Sequence, residues 1–150
     1  MLEQRIEQDL KTALLASDAQ RVSVLRGLKS VLLNVKVAEG KRDSGLDDDA
    51  VLAIFAKEAK KRQESADLYK QGGSQEKADA ELAEKAIIEG YLPEQLGEAE
   101  LGAMVDEAIK TTGAEGPKDM GEVIGQVKQK TGASADGGLI AKIAKEKLGA

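Results

Sequence analysis

Apolar residues recur three and four positions apart along nearly the whole chain, and this spacing constrains the fold more than any other feature. Leu2, Ile6, Leu10 and Leu14 are typical, because residues four apart lie on the same face of a helix. Strand-like alternation of apolar and polar residues occurs nowhere in the sequence. Alanine, leucine, lysine and glutamate, all good helix formers, are abundant. The sequence therefore predicts an all-α protein.

Polar and glycine-rich breaks divide this pattern into seven predicted helices. Pro93 lacks an amide hydrogen and biases Leu92 away from the helical region, so it interrupts the pattern after the fourth helix. We therefore predict an N-terminal domain of about four helices over residues 1–92. A C-terminal three-helix bundle is expected over residues 93–150.

Two capping boxes and one acidic triplet predict where helices begin. Ser17 stands three residues before Gln20, and Asp119 three residues before Glu122, so each pair can satisfy free amide groups at a helix start. The acidic triplet beginning at Asp47 suits the start of the third helix. The apolar stripe from Val22 to Val35 on the second helix is expected to be buried in its own domain, although it could instead contact a partner.

The sequence contains neither cysteine nor histidine. Disulfides, the common zinc ligand sets and the usual Ser/His or Cys/His nucleophile pairs are therefore excluded. We predict no catalytic residue, no metal and no cofactor. The chain starts with acids where a signal peptide has bases, and no apolar run approaches the length of a membrane span, so the predicted location is cytoplasmic without a membrane partner.

Gly121 and Gly125 lie four residues apart on the predicted sixth helix and so share a face. Each glycine costs about 1 kcal/mol relative to alanine inside a helix, so some other interaction should offset that cost. Close packing against a neighbouring helix is one explanation. The other is close approach of a ligand to a bare helix surface.

A loop of small residues from Gly132 to Gly138 precedes the predicted seventh helix. The free amide groups at such a helix start attract phosphate or carboxylate, which would bind at Gly137 or Gly138. The carboxylate of Asp136 is expected to cap the helix and to occupy part of the same place. The loop is not a Walker motif, because no Gly-Lys-Ser/Thr follows it.

Charge divides the C-terminal third of the chain. Residues 94–117 carry six acids against one lysine, a net charge of −5, whereas residues 118–150 carry six lysines against four acids, a net charge of +2. A modestly basic surface suits contact with a phosphate backbone. Residues 94–150 contain neither arginine nor aromatic side chains, so we expect recognition of nucleic acid by shape, without base stacking or DNA sequence readout.

Basic residues also cluster in the predicted N-terminal domain. Arg21, Arg26 and Lys29 flank the second helix, and a second group over residues 57–62 lies on the third. Solvated helix faces paired with nearby acids explain most such clusters. A second RNA contact is the alternative.

Three motifs of this chain resemble those of the GatB/YqeY family, and specifically of its free-standing YqeY-like proteins. The motifs are Arg21-Val22-Ser23-Val24-Leu25-Arg26, Tyr91-Leu92-Pro93-Glu94-Gln95-Leu96 and Asp119-Met120-Gly121-Glu122-Val123-Ile124-Gly125. The resemblance covers essentially the whole length. It implies two helical subdomains and kinship with the tail of the B subunit of the glutamine-dependent tRNA amidotransferase. Similar tails occur on some glutaminyl-tRNA synthetases, and in these relatives the module contacts the outer corner of tRNA.

The resemblance implies RNA-contacting roles for the tail positions that match the family pattern. These are Gly121, Gly125, Lys130, Gly132 and Gly137, and Lys128 and Lys142 join them on charge alone. The catalytic body of the amidotransferase subunit has no room in a chain of 150 residues, so no catalytic residue is carried over.

The leading hypothesis is a tRNA-binding accessory protein that uses its C-terminal domain. One alternative is a component or remnant of a glutamine-dependent tRNA amidotransferase, a carbon–nitrogen ligase with glutamine as amido donor. That alternative implies an amidotransferase or aminoacyl-tRNA synthetase partner. The other alternative is a helical protein-interaction module.

Overall fold

The computed structural model describes residues 1–149. These residues form seven α-helices and no strand, which confirms the all-α fold. The chain divides into two compact units, one over Met1–Leu92 and one from Pro93 onward. None of the described helices is long and apolar enough to cross a membrane.

The first unit contains four helices, namely α1 (Leu2–Leu15), α2 (Ala19–Ala38), α3 (Asp48–Gln71) and α4 (Gln75–Glu89). Asp47 caps α3 as predicted, since its carboxylate accepts a hydrogen bond of 2.8 Å from the Ala50 N–H. The predicted capping box at the start of α2 is wrong. Asp18, and not Ser17, is the N-cap, and its carboxylate accepts a hydrogen bond of 3.1 Å from the Arg21 N–H. The neighbouring Asp18 reaches the free amide instead.

The core of the first unit forms mainly between α1, α2 and the first half of α3. Its largest fully buried side chains are Phe55, Ile6, Leu25, Ile88 and Val51. Leu25, Leu28 and Leu32 of the α2 stripe are all buried here, and Val22 and Val35 at its two ends pack against them. The stripe is therefore interior, as predicted, and does not present a docking surface.

Glu3 joins three parts of this unit. Its carboxylate accepts a hydrogen bond of 2.7 Å from the Lys36 amine on α2 and one of 2.8 Å from the Leu46 N–H before α3. Partial burial alone would raise the pKa of Glu3, but these two hydrogen bonds and the charge of Lys36 together outweigh burial and leave its pKa below the ordinary value. The start of α1 is thus tied to both neighbouring segments.

Helices α3 and α4 pair as an antiparallel hairpin whose outer part buries no large apolar side chain fully. Ala66 and Ala78 are its fully buried residues beyond the core. Polar pairs cross the seam instead: Arg62 Nε lies 3.1 Å from a Glu84 carboxylate oxygen, and the Lys85 amine donates to the Gln63 side-chain oxygen over 2.9 Å. We call these two contacts the hairpin seam.

Tyr91 closes the end of the first unit just after α4. Its ring meets Phe55 edge-on at 5.7 Å, and its hydroxyl donates a hydrogen bond of 2.5 Å to the Asp9 carboxylate. The guanidinium of Arg5 lies 4.8 Å from the ring centroid. Burial, followed by the Asp9 contact, raises the pKa of the Tyr91 hydroxyl far above its ordinary value, although Arg21 and Arg5 act in the opposite direction. This hydroxyl therefore stays protonated.

The second unit contains α5 (Glu98–Thr112), α6 (Met120–Thr131) and α7 (Gly137–Lys147), with 3-10 turns over Pro117–Asp119 and Gly132–Ser134. Its core is lined by the apolar faces of all three helices, and its fully buried members include Leu101, Val105, Val123, Val127 and Ile140. The Leu96 N–H donates to the Ser134 carbonyl over 2.8 Å, which holds the segment before α5 against the loop between α6 and α7.

The predicted capping box at the start of α6 is absent. Asp119 occupies the N-cap position, but its side chain makes no cap hydrogen bond. Its carboxylate accepts a bond of 3.0 Å from the Glu115 N–H instead. The short 3-10 turn after Gly116 explains the difference, because it bends the chain so that Asp119 stabilises the preceding loop.

Candidate nucleic-acid interface

Helix α6 presents two glycines on a face that meets nothing else in the described part of the protein. Gly121 and Gly125 are both exposed, and a Cβ atom built on either would find no atom within 4 Å outside its own helix backbone. Val123 and Val127 hold the other side of α6 in the core. Close packing against a neighbouring helix therefore does not explain these glycines. We call Gly121 and Gly125 the open stripe.

Lys128 lies next to the open stripe, three residues after Gly125 and on the same face. It is exposed, and no ion pair holds it among residues 1–149. Its side chain runs along the start of α7, where a Cβ atom on Gly137 would approach Lys128 Cε to 2.9 Å and Nζ to 3.2 Å. The structure thus brings together Gly121, Gly125, Lys128 and Gly137.

Asp136 caps α7 as the sequence predicted. Its carboxylate accepts a hydrogen bond of 3.0 Å from the Gly138 N–H. This contact uses one of the amide groups that would otherwise attract an anion. An anion at the start of α7 must therefore lie beside a carboxylate, and the Lys128 amine close to Gly137 offsets that negative charge.

Gly132 has a conformational reason to be glycine. It ends α6 with φ of 52° and ψ of −127°, a region that residues with a Cβ rarely adopt. The chain reverses here toward the second 3-10 turn. Gly132 therefore shapes the loop that leads to Asp136 and Gly137, and an RNA contact by Gly132 itself stays a prediction.

Lys130 and Lys142 lie apart from the open stripe. Lys130 is nine residues after Gly121, so at about 100° per residue it projects from the opposite side of α6. It lies 3.8 Å from a Glu107 carboxylate oxygen of α5. Lys142 is exposed on α7, and no hydrogen bond or ion pair of the described residues joins it to the stripe. Their RNA contacts stay predictions.

The acids of α5 reduce the basic character that the sequence assigned to residues 118–150. Lys147 lies 2.9 Å from an Asp106 carboxylate oxygen, in addition to the pair between Lys130 and Glu107. The net charge of +2 for residues 118–150 leaves out these pairs with the acids of α5. The spacing of Asp106 and Glu107 from the turn after α5 was the available sequence signal, because helices that run antiparallel bring such acids next to lysines of their neighbours.

The arrangement is suited to binding. Among residues 1–149 no cluster of His, Cys, Asp or Glu could hold a metal ion. The one hydroxyl with a strongly raised pKa, that of Tyr91, lies in the first unit and hydrogen-bonds to Asp9. The open stripe offers bare backbone and one cation, which together can contact a phosphate chain.

Comparison with known proteins finds curated relatives that share one name. The protein named "Altered inheritance of mitochondria protein 41, mitochondrial" from Eremothecium gossypii is 31% identical over 87 residues, covering 58% of this chain and 46% of that protein. Its namesake from Lachancea thermotolerans is 30% identical over 107 residues, covering 69% of this chain and 56% of that protein. The chain thus spans about half the length of the curated relatives it matches.

A family assignment rests on a longer match. The sequence model described as "Yqey-like protein" matches residues 3–148, which takes in both units and the open stripe. The motifs around Arg21, Tyr91 and Gly121 lie within that range. The chain belongs to the YqeY-like family.

Proposed function

We propose that this protein is a tRNA-binding accessory protein and that the open stripe of its second unit contacts the sugar-phosphate backbone. One observation carries the proposal: Gly121 and Gly125 face open space, although each glycine costs stability in a helix. Nothing among the described residues offsets that cost. A ligand that must approach the α6 backbone closely would offset it.

The neighbouring side chains suit a phosphate backbone better than bases. Lys128 places an unpaired cation beside the stripe, and the second unit has no aromatic ring on which a base could stack. Recognition would therefore depend on shape and charge. The choice of tRNA among nucleic acids comes from the family resemblance, in which related tails contact tRNA.

A titration of the full chain with bulk tRNA at low and moderate salt tests the proposal. We expect binding that weakens steeply with salt, because phosphate contacts release counterions. Gly125→Glu should abolish binding, since it puts a carboxylate on the stripe where no protein atom would be displaced. No binding at tens of micromolar protein would rule the proposal out.

Ala103→Glu provides a matched control. It adds the same carboxylate to an exposed position of α5 in the same unit, away from the open stripe. It should bind tRNA like the unmodified chain, and circular dichroism should show equal helicity for both variants. If Ala103→Glu also abolishes binding, net charge and not the stripe controls affinity.

Co-purification separates this proposal from the amidotransferase hypothesis. An amidase-type partner retained with the full chain, together with ammonia release from glutamine, would favour a component of a tRNA amidotransferase. Direct binding of tRNA by the purified chain without a partner favours the accessory role.

The proposed location is the cytoplasm. A chain without cysteine is compatible with a reducing compartment such as the cytoplasm. The curated relatives carry "mitochondrial" in their names, so the mitochondrion is the alternative. Cell fractionation with an antibody to the native protein would decide between these compartments.

A further inference from the structure

Helix α2 is the one α-helix among the seven described whose own sequence contains no acid. It carries four cations, Arg21, Arg26, Lys29 and Lys36, in a chain of net charge −5. Acids on neighbouring helices can compensate such a concentration of one sign, and the cations that they leave uncompensated are candidates for contact with an anionic partner.

Two of these four cations form ion pairs in the first unit. Lys36 lies 2.7 Å from a Glu3 carboxylate oxygen, and Lys29 lies 3.4 Å from one of Glu7. Arg21 forms no ion pair among residues 1–149, although its charge lowers the pKa of the Tyr91 hydroxyl, which donates to Asp9. The two ion pairs offset the charge that faces α1.

Arg26 has neither an ion pair nor a contact with Tyr91. It is exposed and makes no ion pair or side-chain hydrogen bond in the part of the chain that the structure describes. The antiparallel register set by Glu3 with Lys36 and by Glu7 with Lys29, continued by one turn, brings Lys11 of α1 level with Arg26. Lys11 is exposed and also without an ion pair among those residues. Two exposed cations without ion pairs therefore lie at about the same level of the α1–α2 pair.

The residues beside Arg26 have small side chains, and two of them carry hydroxyl groups that can donate hydrogen bonds. Ser23, Gly27 and Ser30 follow one another on one face of α2, and all three are exposed. A Cβ atom on Gly27 would meet nothing within 4 Å. An open glycine beside an unpaired cation is the same combination that α6 shows at Gly125 and Lys128.

We propose that Arg26 and Lys11, with the hydroxyls of Ser23 and Ser30, form a second phosphate-backbone contact for RNA on the first unit. This inference rests on the proposed function and names a further surface for the same class of ligand. Guanidinium, ammonium and hydroxyl donors bind phosphate oxygens without reading bases.

The test compares tRNA binding by the full chain at 50 and 200 mM salt. Removing one cation that binds a phosphate should lower the ratio of the dissociation constant at 200 mM to that at 50 mM salt by about threefold. We therefore expect Arg26→Gln to lower this ratio by about threefold, and the double variant Arg26→Gln with Lys11→Gln to lower it by about tenfold. Arg26→Lys keeps the charge and should keep the ratio. Lys70→Gln, at the far end of α3, removes an equal charge elsewhere in the unit and should leave the ratio unchanged.

The outcomes separate the two proposals. If Gly125→Glu abolishes binding while the Arg26 and Lys11 variants keep the original salt dependence, the second contact is wrong and the proposed function stands. If the unmodified chain binds no tRNA, both are wrong. Should Arg26→Gln unfold the protein by circular dichroism, Gly27→Glu tests the same surface and should weaken binding. Binding to phosphatidylserine vesicles that depends on Arg26, with RNA binding independent of it, would overturn the inference in favour of a membrane surface.

Discussion

The second unit holds two groups of glycines in the same stretch of sequence. The protein's own structure explains why one group must be glycine, and it does not explain the other. Gly132 adopts a backbone conformation that favours glycine, and Gly137 leaves room for the Lys128 side chain. Gly121 and Gly125 satisfy neither condition, since their backbone is helical and their surroundings are empty. The difference teaches that only a glycine without an internal reason points to an external partner.

Gly132→Ala should give the largest loss of stability in this comparison. With φ at 52° and ψ at −127°, alanine would strain the backbone by about 1–3 kcal/mol. We expect the free energy of unfolding to fall by that amount in urea titrations followed by circular dichroism. Tyrosine fluorescence reports residues 1–92 alone, because both tyrosines lie there, and provides an internal reference. Unchanged stability would show that the turn can adopt another conformation.

Gly125→Ala should change stability and binding in opposite directions. The methyl group meets no atom and removes the entropic cost of glycine, so the free energy of unfolding should rise by about 0.5–1 kcal/mol. Binding of tRNA should weaken, because the methyl group keeps the ligand away from the backbone. Greater stability with unchanged binding would mean that the open stripe has no ligand there.

Gly137→Ala should have the smallest effect. The atoms that a Cβ would crowd are the far end of the flexible Lys128 side chain, which can move at little cost. We expect the free energy of unfolding to change by less than about 0.5 kcal/mol. Thermal melting of this variant and of Gly132→Ala compares the two losses of stability. A loss as large as that of Gly132→Ala would show that Lys128 is held firmly at the start of α7.

Sequence periodicity was sufficient to predict the helices and the buried face of α2. Leu25, Leu28 and Leu32 are buried as their spacing predicts, and family membership is confirmed over residues 3–148. The caps were harder, because Ser17 and Asp18 are adjacent and equally suited to accept a hydrogen bond. Only the backbone geometry shows that Asp18 reaches the Arg21 N–H.

The candidate site could be predicted only as a set of residues. Spacing puts Gly121 and Gly125 on one face, but it cannot say whether that face meets another helix or open space. The contact between Lys128 and Gly137 depends on how α6 and α7 pack, and the pairing of Lys130 with Glu107 depends on α5. The spacing of Glu107 from the turn after α5 favours the second contact, whereas the first has no signature in a single sequence.

The hairpin seam also determines how α3 and α4 align. Alanines such as Ala66 and Ala78 are small enough to fit one another at several offsets, so they do not fix the alignment by themselves. A slip of one turn would break the contact of Arg62 with Glu84 and that of Lys85 with Gln63 together, leaving charges unpaired in a partly buried seam. The polar pairs therefore favour the observed alignment in the part of the hairpin where the buried apolar side chains are too small to set it.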